Sequence, residues 1–147
     1  MRVLAVDPGG TTGLAFYSGA DDYFHSWQMT GFDEVVREIP GWQPDVIVCE
    51  SFTIRSNTHK LDAGAFSHTT DLIGACRLIA LRDGAEFVRQ SPAQAKGFAT
   101  DAKLRTLRWY STIKGGHSND ASRHLLTYLA GIRYAPILEQ LTKETEA

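Results

Sequence analysis

The chain has 147 residues, 43% of them hydrophobic and 22% charged, which suits one globular domain built around a single core. No run of about 18 apolar residues occurs, which excludes a transmembrane helix. The net charge of −2 argues at first against a polyanionic partner, but the charge is segregated along the chain.

Residues 1–88 carry 6 Lys/Arg against 12 Asp/Glu. Residues 89–114 carry six bases (Arg89, Lys96, Lys103, Arg105, Arg108 and Lys114) against Asp101 alone. Local patches, not the total, decide whether a polyanion docks. Two solvated helix faces would give the same pattern.

Arg2 to Val6 is an apolar run that delivers Asp7 to a glycine turn, Pro8 to Gly13, and Leu14 to Tyr17 leads away from it. This reads as an antiparallel hairpin with a carboxylate at the end of its first, central strand. Asp7 either starts the turn, or is a buried acid that must be paired or bound to a metal. Tyr23 to Met29 reads as a third strand of a meander, entered through Asp21 and Asp22. Phe32, Val35, Val36 and Ile39 then have helical spacing, and Pro40-Gly41 closes that helix.

A fourth strand, Asp45 to Glu50, is continuously apolar at its centre, as in a strand covered on both faces. It should run parallel to the sheet through a crossover, and it too ends in a carboxylate. Asp7 and Glu50 would then share one edge of the sheet, where ligand sites of open α/β sheets lie. Glu50 could equally be a surface acid at a strand end.

Ser51 to Thr58 is polar and irregular and holds Phe52 and Arg55. A helix is expected from about 59 to 83, closed by Gly84, with a core stripe through Thr69, Leu72, Ile73, Cys76, Ile79 and Ala80. Ala85 to Gln90 is the fifth strand. Ser91-Pro92 starts a short helix bearing Gln94 and Lys96, and Thr100 caps another that reaches Trp109.

After Gly115-Gly116, His117 opens the last helix, whose apolar face is Leu125, Leu126 and Leu129. His117 and Asp120, three residues apart, can point to one side. Asn119 or Asp120 could instead serve as the helix cap. The chain is expected to form one domain over 1–135, with 136–147 a tail prone to fray. Cys49 and Cys76 fall in apolar segments and read as reduced core residues of a cytoplasmic protein, and no signal-peptide pattern is present.

Asp7, Glu50, Asp120 and His117 thus all stand at element ends. Such a set suits two-metal phosphodiester hydrolysis with two Mg²⁺ ions, which prefer carboxylates and water. His117 could ligate a metal or deprotonate the water. The basic segment would hold the phosphate backbone outside the site.

The combination resembles the RuvC-like Holliday-junction resolvases of the ribonuclease H-like fold. The residues that carry the resemblance are Val6-Asp7-Pro8-Gly9 with Thr12-Gly13, Val48-Cys49-Glu50 with Phe52, and Ser91-Pro92 with Lys96. His117-Ser118-Asn119-Asp120-Ala121, continuing to Arg123-His124-Leu125-Leu126, completes the set. The match runs from Met1 to about Gly131 and looks most like the short, virus-encoded branch of the family.

The resemblance implies an α/β fold with a five-stranded mixed sheet ordered 3-2-1-4-5 and flanked by helices. It implies a homodimer that nicks four-way DNA junctions symmetrically with Mg²⁺ or Mn²⁺. Asp7, Glu50, His117 and Asp120 take the catalytic and metal-binding positions. Lys96 and Lys103 match the family's basic residues and Phe52 its junction aromatic. Arg55, Arg105 and Lys114 complete the expected DNA-binding set. Other readings are a nuclease of the same fold acting on RNA, flaps or forks, a phosphate-binding hairpin of an actin-like or sugar-kinase-like ATPase, and a non-catalytic DNA-binding module.

Overall fold

The computed structural model describes residues 1–52 and 63–143, the stretch 63–66 by its backbone alone. Arg2–Asp7 forms β1, Thr11–Ser18 β2, Tyr23–Thr30 β3, Val46–Glu50 β4 and Glu86–Gln90 β5. They make one mixed sheet of order β3-β2-β1-β4-β5. β1, β2 and β3 are an antiparallel meander, while β4 lies parallel to β1, and β5 parallel to β4. This mixed five-stranded sheet flanked by helices is the fold, and its order the strand order, that the family resemblance implied.

Side chains of a strand alternate between faces, and here each face has its own core. Leu4, Val6, Leu14, Phe16, Ile47 and Cys49 face α1 (Phe32–Gly41) and α2 (Ala63–Asp83), meeting Val35, Ile39, Leu72 and Cys76. Val3, Ala5, Ala15, Tyr17, Val46 and Val48 face the other way. There they meet α4 (Asp101–Thr106), α5 (His117–Gly131) and α6 (Ala135–Lys143) through Leu104, Leu125, Leu126, Leu129 and Ile137. Cys49 and Cys76 are both buried and unpaired by disulfide, and their mutual contact, then burial, pushes the Cys49 thiol well above its usual range. Among the described residues no helix is long and apolar enough to cross a membrane.

Two expectations about the helices are corrected. The helix capped by Thr100 stops at Thr106 instead of reaching Trp109. Arg108 turns the chain with φ +60°, and Trp109 swings into the core to stack on Phe24 at 4.4 Å. Burying the indole outweighs the small cost of a left-handed residue. The segment from 136 onward does not fray at its start: α6 reaches Lys143 and buries Ile137 completely enough to leave 1% exposed. An apolar anchor of that kind stabilises by about 1.5–3 kcal/mol, enough to hold a short terminal helix down.

Candidate active site

One row of residues crosses the whole sheet on the face that α5 covers. Gln28 of β3 stands opposite Gly13 of β2, and Gly13 stands opposite Asp7 of β1. Asp7 and Glu50 come directly after the Val6–Cys49 pair, and Glu50 stands opposite Gln90 of β5. Alternation dictates the face: Asp7 follows Val3 and Ala5, and Glu50 follows Val46 and Val48, all turned toward α5. Both acids therefore point where the last helix passes.

α5 spans this row. From His117 to His124 it rises about 10 Å at about 1.5 Å per residue. Two strand spacings of about 4.8 Å, from β2 to β4, come to the same length. His117 accordingly sits over Gly13, while His124 reaches Glu50.

The start of α5 is held from a distance. Gly116 takes φ +73°, and no side chain of its own neighbourhood caps the helix. Gln28 does so instead: its Oε1 accepts the N–H groups of His117 at 3.0 Å and Ser118 at 3.4 Å. The Gln28 amide N–H donates to the Lys114 carbonyl at 3.2 Å. Neither Asn119 nor Asp120 is the cap. The Asn119 amide clamps the backbone of Ser111, accepting its N–H and donating to its carbonyl, both at 2.8 Å.

Asp7 is the electrostatic centre of the site. It is 8% exposed, and its pKa is pushed up to about 8, by burial first and then by the charges of Glu50 and Asp120; Lys96 pulls it back. His117 Nδ1 lies 3.8 Å from Asp7 Oδ2. Asp120 is steadied by Arg123, whose Nε lies 3.5 Å from its Oδ1. Arg123 is itself anchored on Asp101 and on the Ala99 carbonyl.

The structure thus brings Asp7, Glu50, Asp120 and His117 together. It also adds Gln28 and Gln90, which the sequence did not single out, and gives contacts within the site to Arg123 and His124, which the sequence offered only among the residues that carry the resemblance. His124 is buried, with Nε2 2.7 Å from Glu50 Oε2. One signal for it existed, since 117, 120 and 124 follow helical spacing.

The expected DNA-binding residues divide. Lys96 is exposed on α3 (Pro92–Phe98), near enough for its charge to act on Asp7. Lys103 is half-buried and tied down, donating to the Phe98 carbonyl at 3.0 Å with its ammonium 3.8 Å from the Phe98 ring centre. Arg105 is exposed and stacks on Tyr110 at 3.6 Å, and Lys114 is exposed in the loop before α5. Phe52 packs partly into the α2-side core and lines a cavity of about 190 Å³ with Ser51, Ile73 and Arg89. Arg55 lies outside the described residues.

Three carboxylates around a position where the central one resists ionisation form a donor set suited to a hard divalent cation. Among the described residues no three His, Cys, Asp or Glu side chains form a ready-made coordination cage. The ligands fit in kind and converge, but they are not preassembled.

No protein-family model matches the chain, and no curated protein matches it. Solved structures do. A T. thermophilus RuvC in complex with a Holliday junction substrate superposes with a TM-score of 0.67 at 16% identity, over 90% of this chain and 96% of that one. The Thermus thermophilus RuvC structure gives 0.61 at 20% identity, with the same coverage. The yeast mitochondrial Holliday junction resolvase Ydc2 gives 0.56 at 13% identity, over 96% of this chain and 80% of that one. The likeness extends over nearly the whole chain, and at these identities it is a likeness of fold.

Proposed function

We propose that this chain is a divalent-metal-dependent endonuclease that resolves four-way DNA junctions. The observation that carries the reading is the convergence of Asp7, Glu50 and Asp120, with Asp7 pushed up to a pKa of about 8 by burial first and then by the charges of Glu50 and Asp120. Unscreened acids facing DNA phosphates would repel them, and a bound cation reverses that sign. The preference for a junction rests on likeness of fold to a RuvC seen with a Holliday junction substrate.

Asp7, Glu50 and Asp120 would hold two Mg²⁺ or Mn²⁺ ions. When bound, such ions activate water and stabilise the leaving 3′ oxygen. His117, with its side chain 39% exposed and its ring beside Asp7, is placed to take the proton of the attacking water or to ligate. Arg123 holds Asp120 in position from behind. Lys96, whose charge reaches Asp7, would engage phosphates together with Arg105 and Lys114, without reading sequence. Symmetric nicking needs two such sites. A homodimer is part of this reading, supported by Leu78 and Leu81, which α2 exposes at 65% and 79%.

The test is cleavage of an immobile four-way junction, a flap, a linear duplex and single-stranded RNA, each with Mg²⁺, Mn²⁺ or EDTA, beside Asp7→Asn. Paired nicks in the junction alone, lost with EDTA and in Asp7→Asn, are expected. Equal cutting of flaps would widen the substrate to branched DNA in general. Binding without cleavage under all conditions would overturn the catalytic reading.

A further inference from the structure

The His124 imidazole is buried to 1% exposure beneath the site, on a helix face otherwise made of Ala121, Leu125 and Leu129. A polar ring there is costly unless both nitrogens are satisfied. They are. Nε2 faces Glu50 Oε2 at 2.7 Å, and Nδ1 faces the Gln90 amide at 3.0 Å.

The Gln90 amide decides which nitrogen carries the proton. With its nitrogen turned to the ring, it donates to His124 Nδ1 at 3.0 Å and to the His124 carbonyl at 3.2 Å, while its oxygen accepts the Tyr128 N–H at 3.3 Å. The opposite orientation leaves those groups facing their own kind. The orientation is assigned by this satisfaction of partners. Nδ1 is therefore an acceptor, the proton sits on Nε2, and Nε2–H donates to Glu50.

We propose that His124 is the positioning residue of Glu50: locked by Gln90 as a hydrogen-bond donor, it occupies one carboxylate oxygen and aims the other at the metal. Strand and helix alone leave Glu50 free to rotate, since it is the last residue of β4 and its side chain is 24% exposed. The His124 contact removes that freedom before an ion arrives. Partners behind a ligating carboxylate typically change metal affinity by about 10–100-fold. The inference deepens the metal-site reading and rests on it.

The test compares His124→Leu with His124→Gln. A glutamine amide can place a donor near the position of Nε2, whereas leucine fills the volume without one. Mn²⁺ binding is followed by the electron paramagnetic resonance of the free ion, with circular dichroism and thermal melting as controls on the fold. A loss of Mn²⁺ affinity of about 10–100-fold in His124→Leu, largely restored in His124→Gln, is expected. Wild-type affinity in a folded His124→Leu would overturn the proposal.

Should the leucine variant fail to fold, the wild-type protein decides by itself. Its ¹⁵N-imidazole spectrum without metal should show the neutral ring protonated on Nε2, and a ring protonated on Nδ1 alone would overturn the proposal. Wild-type protein that takes up no Mn²⁺ would count against the metal site, and the ring spectrum would still decide the His124–Glu50 contact.

Discussion

Gly13 and His117 touch backbone to backbone: a Cβ on Gly13 would overlap the His117 carbonyl and come within 3.1 Å of the Ser118 nitrogen. Gly13 is also the residue opposite Asp7 in the sheet. A missing side chain on β2 is what lets α5 start directly above the site. Gly13→Ala should push the helix start away, at a cost of about 1–3 kcal/mol or more because the obstacle is backbone. Thermal melting should fall and cleavage should drop by at least tenfold, while Gly10→Ala, with open space around it, serves as the silent control.

Asp7 makes the metal-free protein sensitive to pH. Its pKa rises from an ordinary value of 3.8 to about 8 on folding, so the folded state keeps a proton that the unfolded chain releases. The stability this contributes is fully present below pH 3.8 and is lost as pH rises through about 8. The loss across that window is of the order of a few kcal/mol. In EDTA, wild-type protein should melt progressively lower between pH 5 and about 8, and Asp7→Asn should lose most of that slope and melt higher at pH 8. Parallel slopes in the two proteins would show Asp7 already ionised.

Divalent cations should reverse that instability. Mn²⁺ at about 100 times its dissociation constant should stabilise the folded state by about 2.7 kcal/mol. The stabilisation should vanish in Asp7→Asn and shrink in Glu50→Gln and Asp120→Asn. Junction cleavage should be abolished in each, with junction binding kept, because phosphates are held by bases and not by these acids. Differential scanning fluorimetry and gel-shift titration read the two halves of this prediction.

Lys96 and Lys103 should behave differently although both are bases of the same segment. Lys96→Ala should weaken DNA binding uniformly across sequences and reduce the salt slope by about 1, with an unchanged melting temperature. Lys103→Ala should lower the melting temperature, since its ammonium serves the Phe98 carbonyl and ring. Binding measured over a range of salt, beside thermal melts, separates them.

Gln28 should matter to the site from the sheet's far edge. Gln28→Ala removes the cap from two N–H groups of α5 and the donor to Lys114, and should cost about 1–2 kcal/mol. Amide hydrogen exchange at 114–118 should quicken while that of β4 stays unchanged.

Much of this was legible along the chain. Alternation and helical spacing are local, so β1 to β5, α5 and the terminal acids Asp7 and Glu50 can be read from neighbouring residues alone. The strand order 3-2-1-4-5 came with the family resemblance, and the structure has it. His117 and Asp120 were visible as a pair at a helix start. What neighbours could not reveal were contacts between residues far apart. Gln28 caps a helix 89 residues away, and His124 meets Glu50 across 74.

The same limit explains the differences in the helices and the bases. Trp109 leaves its helix, and 135–143 stays folded, because each finds an apolar site on another element. Lys103 reads as a free base until Phe98 is seen beneath it. By itself the sequence determined which side chains line each face of the sheet, since that depends on period alone. Only the tertiary structure decided which of them meet, because that depends on how α5 crosses the strands.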